Sequence, residues 1–200
     1  MMPPGKGPSR RCRAAIAALA WAVLSSCTTL QAPVVPPDTA SLPARVASGG
    51  GLRVSAWPLV DPAVYAENFD EYLPAAGIAA LWVEVSAAEG TDASVPPLRW
   101  SLRTPMGKKS ALQLRDLLDR YYERRGIRMY SVKVDSEAEN RLRAIAVPLQ
   151  HPPAGRGVRG YLFFPIDPPA AASWTEGSSL VVAAAGQRTP VELRLADAGR

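Results

Sequence analysis

With 200 residues, the chain is long enough for one domain of ordinary size and a terminal extension, but too short for two full domains. Hydrophobic residues make up 48% of the sequence and charged residues 20%, a balance that excludes a wholly disordered chain. A single histidine and two cysteines exclude any site built from clustered imidazoles or thiolates, so we expect no metal site and no cofactor.

The amino terminus has the plan of a secretory signal. Four basic residues precede an apolar stretch, Ala14 to Leu24, which is shorter than the roughly 20 residues of a membrane span. The stretch ends in Leu24-Ser25-Ser26-Cys27, which resembles the lipobox of bacterial lipoproteins. The resemblance implies that residues 1–26 are a signal peptide, that a diacylglyceryl group joins the Cys27 sulfur, and that the new amino group is acylated.

A lipid on Cys27 makes the membrane the first expected partner, because two or more acyl chains hold a protein stably on a bilayer. The next residue is Thr28 rather than Asp. By the sorting rule of Gram-negative lipoproteins, this implies anchoring in the outer membrane, facing the periplasm. The alternatives are an ordinary cleaved signal that leaves a free thiol, and a retained helix.

The charge of the chain changes once the leader is set apart. The full sequence carries +5, but four of its 23 basic residues precede Cys27, which leaves 19 basic against 18 acidic residues. Nucleic-acid binding needs a clustered excess of Lys and Arg, so we expect no nucleic-acid partner. With Cys12 in the leader and Cys27 lipidated, the exported domain also has no disulfide.

Residues 27–51 are predicted to be the lipidated cysteine and a linker. The segment contains Pro33, Pro36, Pro37 and Pro43 and ends in a run of three glycines, with no helical or strand period. In the polyproline II form, at about 3.1 Å per residue, it would hold the domain up to about 70 Å from the lipid.

Residues 52–200 are predicted to form the folded domain. Helix-start signals occur at Asp61-Pro62, at Ser110 with Gln113, and at Ser136 with Glu139. The Ser110 signal opens a helix over 110–125, and the Ser136 signal opens another that ends before Pro148. Predicted strands cover 52–57, 78–85, 98–102, 128–134, 158–166, 180–184 and 191–195.

These elements predict a mainly β fold, an immunoglobulin-like β-sandwich of about seven strands with a helical insertion over 110–147. An α+β fold is the alternative. Strands 78–85 and 160–166 are apolar on both faces, so both faces must be covered, and helix 110–125 is the expected cover.

No catalytic residue can be assigned from the sequence. Residues 155–160 match GxGxxG, but a strand rather than a helix follows, so we interpret them as a turn. Residues 107–110 are interpreted as a turn and helix cap. His151 lies in a predicted loop, and the sequence contains no GxSxG motif that would supply a serine nucleophile. Glu84 is expected at a strand end, either solvated or paired with an arginine.

A binding surface is the remaining prospect. Trp82 and Trp100 lie on apolar strand faces and are predicted to be core residues, whereas Trp174 follows a proline-rich loop and is the expected exposed aromatic. Arginines along the second half of the chain offer a basic patch. The candidate surface consists of Trp174, Arg124, Arg125, Arg128, Arg156 and Arg159.

Together these observations predict a lipid-anchored envelope protein that serves as a non-catalytic binding or structural module, with an envelope protein or glycan as partner. A subunit of an export or pilus assembly is a variant of this hypothesis. The alternative is an envelope hydrolase that acts on glycan or peptide through paired carboxylates. Beyond the leader, the residues match no pattern of a named family.

Overall fold

Two antiparallel four-stranded sheets form the frame of the protein. The computed structural model describes residues 30–31, 33, 35–88, 94–127, 132–149, 157–167 and 173–196. In spatial order, sheet A contains β1 (Arg45–Gly49), β2 (Leu52–Pro58), β3 (Ile78–Ala87) and β6 (Gly157–Pro165). Sheet B contains β5 (Gly107–Ser110), β4 (Leu98–Thr104), β7 (Ser179–Ala184) and β8 (Val191–Arg194).

The chain crosses between the sheets in the order of an immunoglobulin fold. In sheet A, β3 pairs with the edge strand β6, and in sheet B the central pair is β4 with β7; both pairs are antiparallel. These correspond to the B–E and C–F pairs of that fold, with β8 as the last strand and β5 as an extra strand beside β4. The prediction of a mainly β sandwich with inserted helices is confirmed, with eight strands where about seven were expected.

The sandwich core lies between the sheets and follows from the two-residue alternation of the strands. Val54, Leu81 and Leu162 face inward from sheet A, and Leu102 and Val182 meet them from sheet B. Trp100 also belongs to this core, as predicted. Six predicted strands are observed, with ends that differ from the expected ones by no more than two residues.

Helices cover the opposite face of sheet A. The helical layer consists of α1 (Pro62–Phe69), a 3₁₀ helix (Leu73–Ala76), α2 (Leu114–Arg124) and α3 (Val132–Ile145). Helix α2 belongs to the cover as predicted, but α1 and α3 share the task. The helix-side core lies beneath them and contains Trp82, Tyr161, Phe163, Tyr65, Phe69, Leu117, Tyr121 and Leu142. None of the described helices is both long and apolar enough to cross a bilayer.

Helix α1 begins at its predicted signal and holds the end of the sheet. An oxygen of the Asp61 side chain accepts a 2.8 Å hydrogen bond from the amide of Ala63, and Pro62 opens the helix. From the first turn, the hydroxyl of Tyr65 accepts a 3.1 Å hydrogen bond from the amide of Ala80. This amide lies where β2 has already ended, so the tyrosine replaces a missing strand partner.

The interpretation of residues 27–51 as a linker is wrong at its carboxyl end. Arg45–Gly49 forms β1, and the pair Gly49 and Leu52 closes a two-residue hairpin loop. Gly50 and Gly51 have φ values of 56° and 74°, as a type I′ turn requires at both central positions. The glycine run is therefore a hairpin turn matched to the sheet twist.

Two further element predictions are wrong. Ser110 is the last residue of β5 rather than a helix cap, and α2 begins only at Leu114, after Gln113. The strand predicted over 128–134 is contradicted from Val132 onward, because α3 starts there, and its first residues lie outside the described part of the chain. Ser136 is thus inside α3. The alternation of Val132 and Val134 with polar residues also fits the start of an amphipathic helix.

The outer edge of β6 is partly closed by backbone hydrogen bonds. The amide of Leu112 donates to the carbonyl of Phe163 at 2.8 Å, and the amide of Val147 donates to the carbonyl of Tyr161 at 2.9 Å. The end of α3 comes so close that a Cβ on Gly160 would lie 2.7 Å from the carbonyl oxygen of Ile145. The last glycine of the GxGxxG match thus permits helix-to-strand packing. A strand is present as predicted, but it already begins at Gly157, so the described part of the match is strand rather than turn.

Candidate functional site

The outer face of sheet B, which we call the open face, is not covered by any of the described helices, which all pack on sheet A. In β4 the apolar residues Leu98, Trp100 and Leu102 belong to the sandwich core. By the two-residue alternation, Arg99 and Arg103 point away from that core, and both are exposed. The strand that buries its apolar side chains therefore presents two arginines on a planar scaffold.

The register of the sheet places basic residues side by side. Lys108 pairs with Arg103, Arg103 pairs with Ser179, and Ser179 pairs with Arg194, so one row crosses all four strands. Neighbouring strands are about 4.8 Å apart. Two like charges directly opposite each other, as in Lys108 and Arg103, are destabilising. The stability of the fold therefore does not explain why Lys108 and Arg103 lie opposite each other.

Between these cations the open face is flat and composed of small side chains. Ser101, Ser179 and Val181 are buried beneath their neighbours, and Ala183 is half-buried. The long side chains of Arg99, Arg103, Lys108 and Arg194 are exposed around them. The result is a shallow floor with a basic rim.

The open face carries more positive charge than its own acids neutralise. Nη1 of Arg103 lies 2.8 Å and 2.9 Å from the two carboxylate oxygens of Glu192. Glu192 is the acidic residue that the strands of sheet B place on this face. The side chains of Arg99, Lys108 and Arg194 form no hydrogen bond or ion pair with another described residue, in contrast to Arg103.

The described members of the surface predicted from the sequence lie on different elements of the fold. Arg124 and Arg125 lie at the end of α2, whereas Arg159 lies on β6 in sheet A. Arg125 forms an ion pair with Glu71 and stands 6.0 Å from the centre of the Tyr121 ring. Arg128 and Arg156 lie outside the described residues, as do Cys27 and His151.

Trp174 is a core residue, which corrects the prediction of an exposed aromatic. Only 3% of its surface is exposed, and its ring belongs to the sandwich core. The hydroxyl of Ser178 donates a 2.7 Å hydrogen bond to the Trp174 carbonyl and fixes the turn that carries it. A loop at the end of a sandwich can direct a large apolar ring between the two sheets, and burial of that area is favourable.

Glu84 lies in a polar concavity of about 530 Å³ on sheet A, beyond the end of the helical layer. Its register partners are Ser55 and Arg159, and one of its carboxylate oxygens accepts a 3.2 Å hydrogen bond from the Trp82 indole. Arg53 also lines the concavity. Glu84 is exposed at this position, and its neighbours in the described part of the chain are arginines, serines and an indole rather than a second acid.

The displaced pKa values belong to the helical layer. Burial raises the pKa of Tyr65, Tyr121 and Tyr161, and burial also lowers the pKa of Arg120. The Arg120 guanidinium donates hydrogen bonds of 3.0 Å and 3.2 Å to the carbonyls of Gly77 and Ile166. These side chains fasten helices to sheet A, which accounts for their environment without a catalytic role.

The sequence contains a signal for the open face that is not a cluster of basic residues. Arg99 and Arg103 are four residues apart and alternate with core residues, which places both on one face of a strand. Lys108 and Arg194 lie far from them in sequence and join them only through strand pairing. Comparison of the chain with protein-family models, curated proteins and solved structures found no match.

Proposed function

We propose that this protein is a lipid-anchored, exported module of the bacterial envelope that binds an anionic glycan through its open face and carries out no catalysis. The observation that carries the binding proposal is the basic row of Lys108, Arg103 and Arg194, together with Arg99, on a sheet face that no described helix covers. The lipobox resemblance at Cys27 supports the anchor.

Charge and shape both favour a polymer with repeated negative groups. The cations lie at strand-spaced intervals over a floor without large side chains, so an extended chain can lie flat across the sheet. The buried position of Trp174 removes the exposed ring on which a neutral sugar would stack. Recognition through charge therefore has more support than recognition through aromatic stacking.

The hydrolase alternative gains no supporting observation. It requires two carboxyl groups roughly 5–10 Å apart around a scissile bond. The acid with the most unusual sequence setting, Glu84, faces Arg159 across the strand pair and hydrogen-bonds to Trp82.

Binding is tested by co-sedimentation of the purified full chain, in detergent, with isolated peptidoglycan sacculi, whose stem peptides bear carboxylates. The test variant combines Arg99→Glu, Lys108→Glu and Arg194→Glu. The control combines Arg53→Glu, Arg124→Glu and Arg159→Glu, which makes the same change of charge away from the open face. We expect the test variant to bind about 100-fold more weakly, because each of the three reversed contacts changes by roughly 1 kcal/mol, while the control keeps its affinity.

The salt dependence of binding to sacculi is a second measurement in the same experiment. Exposed charges are screened beyond about 8–10 Å at physiological ionic strength, so binding through the open face weakens as salt is added. Equal loss in both triple variants would assign binding to net charge alone. Full binding by the test variant would show that the open face is not the binding site. If the protein bound an acidic protein instead of the sacculi, the partner would be a protein rather than a glycan.

The anchor is tested separately by fractionation of cells that express the wild type or Cys27→Ala. We expect the wild type in the membrane fraction and the variant in the soluble fraction, because the lipid on Cys27 supplies the attachment. Membrane attachment of both forms, or of neither, would contradict the lipobox assignment.

A further inference from the structure

The residues that follow the proposed anchor pack on the domain instead of extending from it. Leu30 is only 3% exposed and belongs to the helix-side core, together with Leu59, Ala138 and Leu142. Pro33 and Pro37 are also buried. The expectation of a long free tether is therefore wrong for the described part of this segment.

A polar contact places the docked segment beside α3. The side-chain oxygen of Gln31 accepts a 3.4 Å hydrogen bond from Nη1 of Arg141. Ala138 and Leu142, which flank Arg141 on the helix, belong to the same helix-side core as Leu30. The segment thus enters the fold along the α3 side of the helical layer.

We propose that this docking orients the domain on the membrane, with the α3 side of the helical layer against the lipid headgroups and the open face directed away. The inference rests on the proposed lipid at Cys27. Three residue steps separate Cys27 from Leu30, and a fully extended chain spans at most about 3.6 Å per residue, so the lipidated residue stays within about 11 Å of the docked leucine.

The helical layer, sheet A and sheet B are stacked in that order, and this order determines which surface faces the periplasm. Leu30 packs on the outer side of sheet A, whereas the open face is the outer side of sheet B. Packed sheets are about 10 Å apart, and a helical layer adds about another 10 Å. The basic row therefore lies roughly 20 Å or more from the anchored side and remains accessible to a ligand that does not belong to the membrane.

The docking itself is tested without reference to lipid. Leu30→Ala in the purified full chain should lower the urea midpoint, because it removes a buried side chain from the helix-side core. Val35→Ala, in the same segment but at a residue that is 66% exposed, should leave the midpoint unchanged. Equal midpoints for Leu30→Ala and the wild type would overturn the docking.

The orientation is tested with nitroxide labels on the lipidated chain in vesicles of phosphatidylethanolamine and phosphatidylglycerol. Labels at Glu137→Cys and Ala144→Cys flank Arg141 on α3, and a label at Arg99→Cys reports on the open face. A paramagnetic metal chelated to lipid headgroups should enhance the relaxation of the α3 labels and leave the Arg99 label unaffected.

A flexible Gly-Ser insertion between Thr29 and Leu30 is the matched control, because it keeps the lipid while releasing the constraint. We expect it to remain membrane-bound and to lose the difference between the labels. If the wild type is membrane-bound but all labels respond alike, the orientation is wrong while the anchor stands. If the wild type fails to bind vesicles, the anchor fails and the orientation fails with it.

Discussion

The two outer faces of this sandwich have opposite surroundings. On sheet A, Trp82, Tyr161 and Phe163 point outward and are buried under three helices. On sheet B, Arg99 and Arg194 point outward into solvent. Both sheets contribute their other face to the same core, so the difference arises from the residues that alternate with the core positions.

This difference separates the face that stabilises the fold from the face that we propose as the binding surface. The covered face is an aromatic layer in which the Phe69 ring centre lies 5.2 Å from that of Tyr161 and 5.9 Å from that of Phe163. Such edge-to-face packing adds to the burial of apolar area. The side chains of the open face are mainly exposed charges, and these add little to the free energy of unfolding. Substitutions on the two faces should therefore separate stability from binding.

The largest expected effect is on the covered face. Phe163→Ala should lower the free energy of unfolding by about 3–5 kcal/mol, because it leaves a cavity beneath the helices. Arg99→Ala on the open face should change it by no more than about 0.5 kcal/mol. Urea unfolding followed by tryptophan fluorescence measures both, and similar losses would refute the division between the faces.

The contact between the helical layer and β6 is tested by Gly160→Ala. The new Cβ would collide with the Ile145 carbonyl, and the φ of 151° disfavours an L side chain, so we expect a loss of about 2–4 kcal/mol. Gly49→Ala is the control, since its Cβ would meet the Val191 side chain at an ordinary 3.4 Å. A tolerated Gly160→Ala would mean that α3 does not rest on β6 as described.

A smaller effect is expected from the hydroxyl that joins α1 to sheet A. Tyr65→Phe removes the acceptor of the Ala80 amide, and a buried donor left without a partner costs about 1–3 kcal/mol. Hydrogen exchange at the Ala80 amide should become faster than in the wild type. Unchanged protection of this amide would show that another group satisfies it.

The burial of the Tyr65 hydroxyl should also make folding stability depend on pH in the alkaline range. Burial raises the pKa of Tyr65 above its ordinary value near 10, so above pH 10 the unfolded chain releases a proton that the folded chain retains. Folding stability is therefore unaffected by this group below pH 10 and falls as pH rises, by about 1.4 kcal/mol between pH 9 and 11. Unfolding of Tyr65→Phe should show a correspondingly weaker dependence, and an identical dependence would contradict the burial of this hydroxyl.

The smallest effect concerns the ion pair of the open face. A double-mutant cycle with Arg103→Ala and Glu192→Ala should give a coupling of about 0.2–1 kcal/mol, because both side chains are exposed. Raising the salt concentration should reduce this coupling. A coupling of several kcal/mol would show that the open face is more protected from solvent than the structure indicates.

The sequence was informative wherever burial dictated the pattern. Strand alternation places Trp82 and Trp100 on apolar faces and so predicts that both are core residues, as observed. The need for a cover over sheet A followed from the absence of charge between Ile78 and Val83. The start of α1 is predictable from Asp61-Pro62, because the capping hydrogen bond joins residues that are close in sequence.

It was uninformative where long-range pairing decides the outcome. Arg45–Gly49 has a weak alternation and becomes a strand only because β2 pairs with it. Val132 and Val134 alternate like a strand, but an apolar helical face lies further along the same segment. The proline-rich surroundings of Trp174 predict an exposed loop, although a turn directs the ring into the core. The basic row depends on register between distant strands, which no local pattern encodes.

The closed edge of β6 also bears on how the chain avoids self-association. Residues 160–164 read Gly-Tyr-Leu-Phe-Phe, an uncharged and strongly β-forming run of the kind that templates pairing between identical chains. The hydrogen bonds from Leu112 and Val147 occupy part of this edge, and Pro165 withholds a donor at its end. Because both bonds come from segments that flank the helices, a copy in which the helical layer has opened would expose an adhesive strand. Aggregation, rather than loss of binding, is then the first expected consequence of damage to that layer.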